Sequence, residues 1–250
     1  MIALKLWYDS RSRFFIGVVV MIVIAFLVLW SFYAVNKSMS HSDAAPNAKI
    51  GLQTRSELLK VWSNYETIID LTWYQGFGAT SIAILAIILA MGGPLAQSHS
   101  VHLTLSLPIR RYCWPVAQAV LTIGLTVTML IISTAVLLSV GALMGHTYPP
   151  GRAALNLLLC AVPTVAWVGL TLAVGSYVLD KARTALIVIP TKFISVFLFT
   201  LPVMRAWDIG RLGRPINMHP DYSWRTLLLL IVFAVGGVVL AVRRFERLDY

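Results

Sequence analysis

The sequence predicts an all-α membrane protein: six transmembrane helices, an N-terminal interfacial helix, and a short helix in the connection between spans two and three. Three observations carry that prediction. Hydrophobic residues make up 58% of the 250-residue chain and charged residues only 12%, and mean hydropathy is +0.80. A soluble domain is nearer half apolar and about a quarter charged. Six stretches match or approach the roughly 20 apolar residues needed to cross about 30 Å of hydrocarbon as a helix. Finally, charge is almost confined to the segments between those stretches.

The first thirteen residues, "MIALKLWYDSRSR", read as an amphipathic helix at the membrane surface, with Ile2, Leu6 and Trp7 toward lipid and Lys5, Asp9 and Arg11 toward water. The spans follow at Phe14–Tyr33, Trp73–Leu95, Val116–Met144, Leu155–Leu179, Thr184–Met204 and Thr226–Val242. Residues Phe14 to Asn36 carry no charge. That run exceeds the apolar core of about 7–15 residues in a cleavable signal, so it reads as a retained anchor. Span three is long enough to tilt. Span six is flanked by Trp224 and Arg243, side chains suited to the two interfaces.

Residues 34–72 form the largest polar loop. Within it Thr54 precedes Glu57 by three residues, a capping-box pattern, and Leu58, Trp62, Tyr65 and Ile69 recur at helical spacing. Lys60, Glu66 and Asp70 fall on other faces, so an external amphipathic helix is expected to run into span two. The stretch Arg205 to Arg225 is rich in turn residues and reads as irregular. Gly169 and Ala173, like Gly237 and Ala241, have the spacing that lets helix backbones approach closely.

An even number of spans puts both termini on one side. That side holds ten of the 20 cations and the other side nine, but the ten are packed into fewer residues against the spans. The packing favours cytoplasmic termini. The formal charge of +10 is explained by cations facing anionic headgroups. No basic cluster with interleaved aromatics indicates nucleic acid. Cys113, in a connector, and Cys160, in an apolar run, are not placed to form a bridge.

The chain lacks HExxH, GxSxG, CxxC and GxxxxGK[ST] motifs, so neither an enzyme site nor a phosphate-binding loop is expected. His99 and His102 are three apart but have no carboxylate or thiolate partner, and no metal site is assigned. No Asp or Glu lies inside the six runs, which counts against an ion-coupled carrier or channel. Lys192 is the one charge at depth. It either snorkels to an interface beside Pro190 or lines a translocation path.

The connector between spans two and three reads "HSVHLTLSLPIRRYCW". Leu103 and Leu107 share one helical face, Pro108 closes the element, and Arg110 and Arg111 stand where span three begins. An apolar surface in the aqueous phase asks for a partner. "LTLSLPIRR" closely resembles the "LLSLPVSR" signature of ABC-2-type transporter permeases, the membrane subunits of ATP-driven exporters. "LKLWYDSRSRFFIG" resembles their approach to span one, and "RRFERLDY" is similar to their basic tail. The chain departs from the family at "GGPLAQSHSVHLT", which has no acid where members often carry a glutamate.

The resemblance implies a multi-pass protein of a prokaryotic inner (plasma) membrane, not itself an enzyme. It implies that Leu103, Thr104, Leu105, Ser106, Leu107, Pro108 and Arg110 form a coupling helix that docks on a separate ATPase subunit. That subunit would bind ATP and Mg, and this chain would hold no cofactor. Two permease copies, or this chain with a related one, would pair with two ABC ATPase subunits. The alternatives are a secondary transporter or channel, and a membrane scaffold that recruits a cytoplasmic partner.

Overall fold

The computed structural model describes residues 2–40, 64–91, 112–178, 180–200 and 224–247. About 92% of them are helical and none lies in a strand. In chain order the elements are α1 (Ile2–Ser40), α2 (Tyr65–Ile68), a π-helical stretch (Ile69–Tyr74), α3 (Phe77–Ala90), α4 (Cys113–Leu143), α5 (Pro150–Val178), α6 (Lys181–Thr200) and α7 (Trp224–Glu246). Five segments are long and apolar enough to cross a membrane: Leu4–Ala34, Tyr65–Ala90, Cys113–Leu143, Pro150–Val178 and Leu228–Glu246. The chain therefore has the make-up of a multi-pass membrane protein.

Helix α6 covers most of the expected fifth span but is not among the five. Its side chains are described over residues 181–194 alone, a shorter stretch than a span. The expected interfacial segment and span one form a single 39-residue helix, α1, about 58 Å long. Within it Leu6 does not face lipid. It is 1% exposed and packs with Ala86, Ala90, Trp114 and Phe245.

That cluster fixes the topology. The start of α1, the end of α3, the start of α4 and the end of α7 meet at one end of the bundle. At the other end Phe32 of α1 lies edge-on to Tyr65 of α2 and to His146, which follows α4. Among the described residues, charge divides unevenly between the two ends. Lys5, Arg11 and Arg13 on α1, Lys181 and Arg183 on α6, and Arg243, Arg244 and Arg247 at the end of α7 share the first end with Asp9, Asp180 and Glu246. At the second end Lys37 and Arg152 are matched by Glu66 and Asp70.

Helix α5 is central, touching α3, α4, α6 and α7. Its contact with α7 is backbone against backbone. A Cβ on Gly169 would stand 2.5 Å from the Ala234 carbonyl oxygen, and one on Gly237 would collide with the Gly169 carbonyl. In lipid, where apolar side chains gain nothing by leaving solvent, such close approach is what holds helices together.

Hydroxyls inside the spans bond back to their own helix, as Thr126 does to the Thr122 carbonyl (2.7 Å) and Thr171 to that of Trp167 (2.7 Å). Across helices, the Gln118 amide donates to the Ala90 carbonyl at 2.5 Å and so satisfies the end of α3. Cys113 and Cys160 are free thiols.

Neighbouring glycines provide a matched test of the α5–α7 contact. Gly237→Ala should lower stability by about 1–3 kcal/mol. Gly236→Ala, whose new methyl meets nothing within 4 Å, should leave it nearly unchanged. Thermal unfolding of both variants in one detergent checks this.

Candidate functional site

The most concentrated polar arrangement lies where α2 meets the α4–α5 hairpin. Helix α4 ends in a Schellman motif: His146 N–H donates to the Gly141 carbonyl and Gly145 N–H to that of Ala142, both at 3.0 Å. The motif needs a left-handed residue, and Gly145 supplies it at φ 84°. Pro150 then opens α5 at the position where a missing N–H is harmless. The tight turn between them presents Tyr148, while Arg152 and Asn156, four residues apart, share one face of α5.

Opposite them, Asn64 caps α2, its side chain accepting from Glu66 N–H at 3.0 Å. Glu66 and Asp70 lie one turn apart. The chain then widens into the π-helical stretch, where Gln75 N–H donates to the Asp70 carbonyl five residues back at 3.1 Å. Asp70 is 0% exposed. Its Oδ1 accepts from the Tyr148 hydroxyl at 2.5 Å and from Asn156 Nδ2 at 2.8 Å. Its Oδ2 pairs with Arg152 Nη2. The other arm of the guanidinium, Nη1, reaches Glu66 Oε2 at 2.9 Å, and the Tyr148 ring lies 5.9 Å from the guanidinium carbon.

Burial, and then the hydrogen bond to Asp70, push the Tyr148 hydroxyl above the ordinary phenol range. It therefore stays protonated and acts as a donor. Burying a carboxylate costs several kcal/mol, which is offset only when a countercharge and hydrogen bonds surround it. Here three donors from the hairpin do so. The arrangement is an anchor. It offers no nucleophile beside a free base, and the carboxylate oxygens are already engaged, so they present no open cation site.

Here the structure corrects the sequence reading. Span two was expected to begin at Trp73, leaving Glu66 and Asp70 on the polar side of an external helix. Instead the membrane-length helix begins at Tyr65 and includes both acids, with Asp70 wholly inside. The physical reason is the partner. Arg152 and Asn156 lie more than eighty residues away, and a carboxylate without them would face water. The only sequence signal was the shared i,i+4 spacing of Glu66/Asp70 and Arg152/Asn156.

Lys192 is half-buried on α6, its ammonium 5.3 Å from the Trp167 ring of α5. The cationic head is thus held by an aromatic face. Between α4 and α5, the gap lined by Thr126, Leu130, Thr164 and Val168 holds about 10 Å³, barely the size of one water. Leu103, Thr104, Leu105, Ser106, Leu107, Pro108 and Arg110 lie outside the described residues, as do His99 and His102. Among the described residues, no group of three or more His, Cys, Asp or Glu is placed to hold a metal.

Asp70→Ala should destabilise the protein by about 3–5 kcal/mol, because it strands the Arg152 charge. Glu66→Gln, at a partly exposed pair, should cost no more than about 1 kcal/mol. Unfolding midpoints of the two variants separate these outcomes. The chain matches no protein-family model, no curated protein and no solved structure.

Proposed function

We propose that the chain is the membrane-spanning permease subunit of an ATP-driven exporter of the ABC-2 type. It resides in the inner or plasma membrane of a prokaryote with both termini in the cytoplasm. The observation that carries this reading is "LTLSLPIRR" in a chain rich in membrane-length helices that has no phosphate-binding loop of its own. The bundle supports it in one respect. Ala90 and Trp114, which flank the connector containing this stretch, sit beside Leu6 and Phe245, near the two termini. The cations packed close to the helices at that end favour a cytoplasmic face.

On this reading Leu103, Leu105 and Leu107 form an apolar foot against a separate ATPase subunit, which binds ATP and Mg and performs the hydrolysis. Two permease chains, identical or related, face two such subunits. Nucleotide-driven closure of the ATPases moves both feet, and the packed helices switch between two arrangements. Lys192 and its Trp167 partner are the candidates for contact with cargo inside the bundle.

One observation favours a second reading, a cation-coupled carrier: Asp70 is a buried carboxylate within a membrane-length helix. Its saturation by Arg152, Tyr148 and Asn156 argues for an anchor over an ion site. A P-loop ATPase encoded beside this chain, when co-expressed, should purify with it and hydrolyse ATP. Leu105→Asp or Leu107→Asp should leave the chain folded but sever hydrolysis from transport. Substrate movement at full rate in liposomes lacking any ATPase would overturn the proposal.

A further inference from the structure

The two helices that lead into and out of the connector are fastened to each other inside the bundle. Helix α3 ends at Ala90 and α4 begins at Cys113. The carbonyls of a last helical turn have no partner in their own helix. For the buried Ala90 the partner comes from α4: Gln118 Nε2 donates to its carbonyl at 2.5 Å. Gln118 is itself 3% exposed, which shields the bond from competing water. Other polar side chains on α4 behave differently. Thr126 and Ser133 bond to carbonyls of their own helix, at 2.7 and 2.8 Å, and tie no two elements together.

Elements from both ends of the chain meet at this bond. Trp114, in the first turn of α4, stands one turn before Gln118 on the same face. It shares a buried cluster with Ala86 and Ala90 of α3, Leu6 of α1 and Phe245 of α7. Lys5, beside Leu6, sets its ammonium 5.7 Å from the centre of the Trp114 ring. Helix α4 packs against α1, α3 and α7, and α1 also packs against α3. Four helices are thus gathered around one cross-helix hydrogen bond. From α7 the contact continues into α5 through Gly237 and Gly169.

We infer that Gln118 and Trp114 are positioning residues for the coupling step: they lock the end of α3 to the start of α4, so that a load on the connector shifts α1 and α7 together with both stems. The source of that load rests on the permease reading above; the joint itself does not. Without the Gln118 amide the Ala90 carbonyl is buried and unsatisfied, and the last turn of α3 opens more often toward water. The connector then moves on a loose hinge, and its displacement is dissipated before it reaches the other helices.

The test has two arms, both on the full chain. In the first, amide hydrogen exchange of the purified chain in detergent is read by mass spectrometry. Gln118→Leu, which fills similar space without a donor, should make residues 87–91 exchange about tenfold faster than in the unaltered chain. Thr126→Val, which removes a hydroxyl bonded to its own helix, should change them less than about twofold. In the second arm the P-loop ATPase encoded beside the chain is co-purified with it, and exchange is compared with and without ATP and vanadate. Nucleotide should alter exchange at residues 2–10 and 240–247 of the unaltered chain. Gln118→Leu should shrink that response about fivefold while the ATPase still co-purifies. Lys5→Gln, at an exposed position, should weaken it about twofold at residues 2–10 alone. Should Gln118→Leu fail to fold, Gln118→Met carries both comparisons. Unaltered exchange at residues 87–91 in the Gln118 variant would overturn the joint. An undiminished nucleotide response at α1 and α7 would overturn its part in coupling. Failure of the ATPase to bind would overturn the permease reading and the coupling role with it, while the first arm still decides the joint.

Discussion

Hydrocarbon offers a polar group no partner, and the bundle is organised around that constraint. Most of its hydroxyls answer it locally by bonding to the carbonyl one turn back. Asp70 cannot. Its carboxylate is satisfied only if the α4–α5 hairpin delivers Tyr148, Arg152 and Asn156 to one point. The Schellman motif at Gly145 and the helix start at Pro150 are what set the geometry of that delivery. The Asp70–Arg152 pair, together with the packing of Ala83 and Ile87 on Trp167, therefore sets the position of the second membrane-length helix relative to the central α5.

The two ends of the bundle consequently differ in kind. At the Asp70 end, Arg152 pairs with both Glu66 and the buried Asp70, so helices are tied together. At the end where Leu6 meets Phe245, the described residues include eight cations and three carboxylates, and one ion pair, Arg183 to Asp180, is made among them. An ion pair in a dry site resists separation, whereas a surface array of cations is soft and takes its countercharge from outside. Between them, α5 and α7 touch through backbone at Gly169 and Gly237, a contact with no long side chains to bridge a gap. Small changes in the angle of α7 are therefore felt directly by α5.

Much of this architecture was legible in the sequence. Apolar runs of membrane length announce helices because nothing else satisfies the backbone in lipid. The small-residue pairs at Gly169/Ala173 and Gly237/Ala241 pointed to the helices that pack most closely. Leu6 and Asp70 were not legible in the same way. An amphipathic pattern says which residues share a face, not whether that face meets lipid, water or another helix. Leu6 turned toward Trp114 and Phe245, and Asp70 turned toward Arg152.

Composition and periodicity alone determined that the chain is helical and membrane-spanning, and roughly where its helices run. Those properties depend on the solvent each residue prefers, and that preference is local. The tertiary structure decided that Asp70 lies inside and not outside, and that Arg244 keeps a buried N–H open beside Tyr177. Both facts are pairings between residues far apart in the chain. Burial of a charge is favourable or ruinous according to whether a distant partner arrives, and only the folded bundle brings it there.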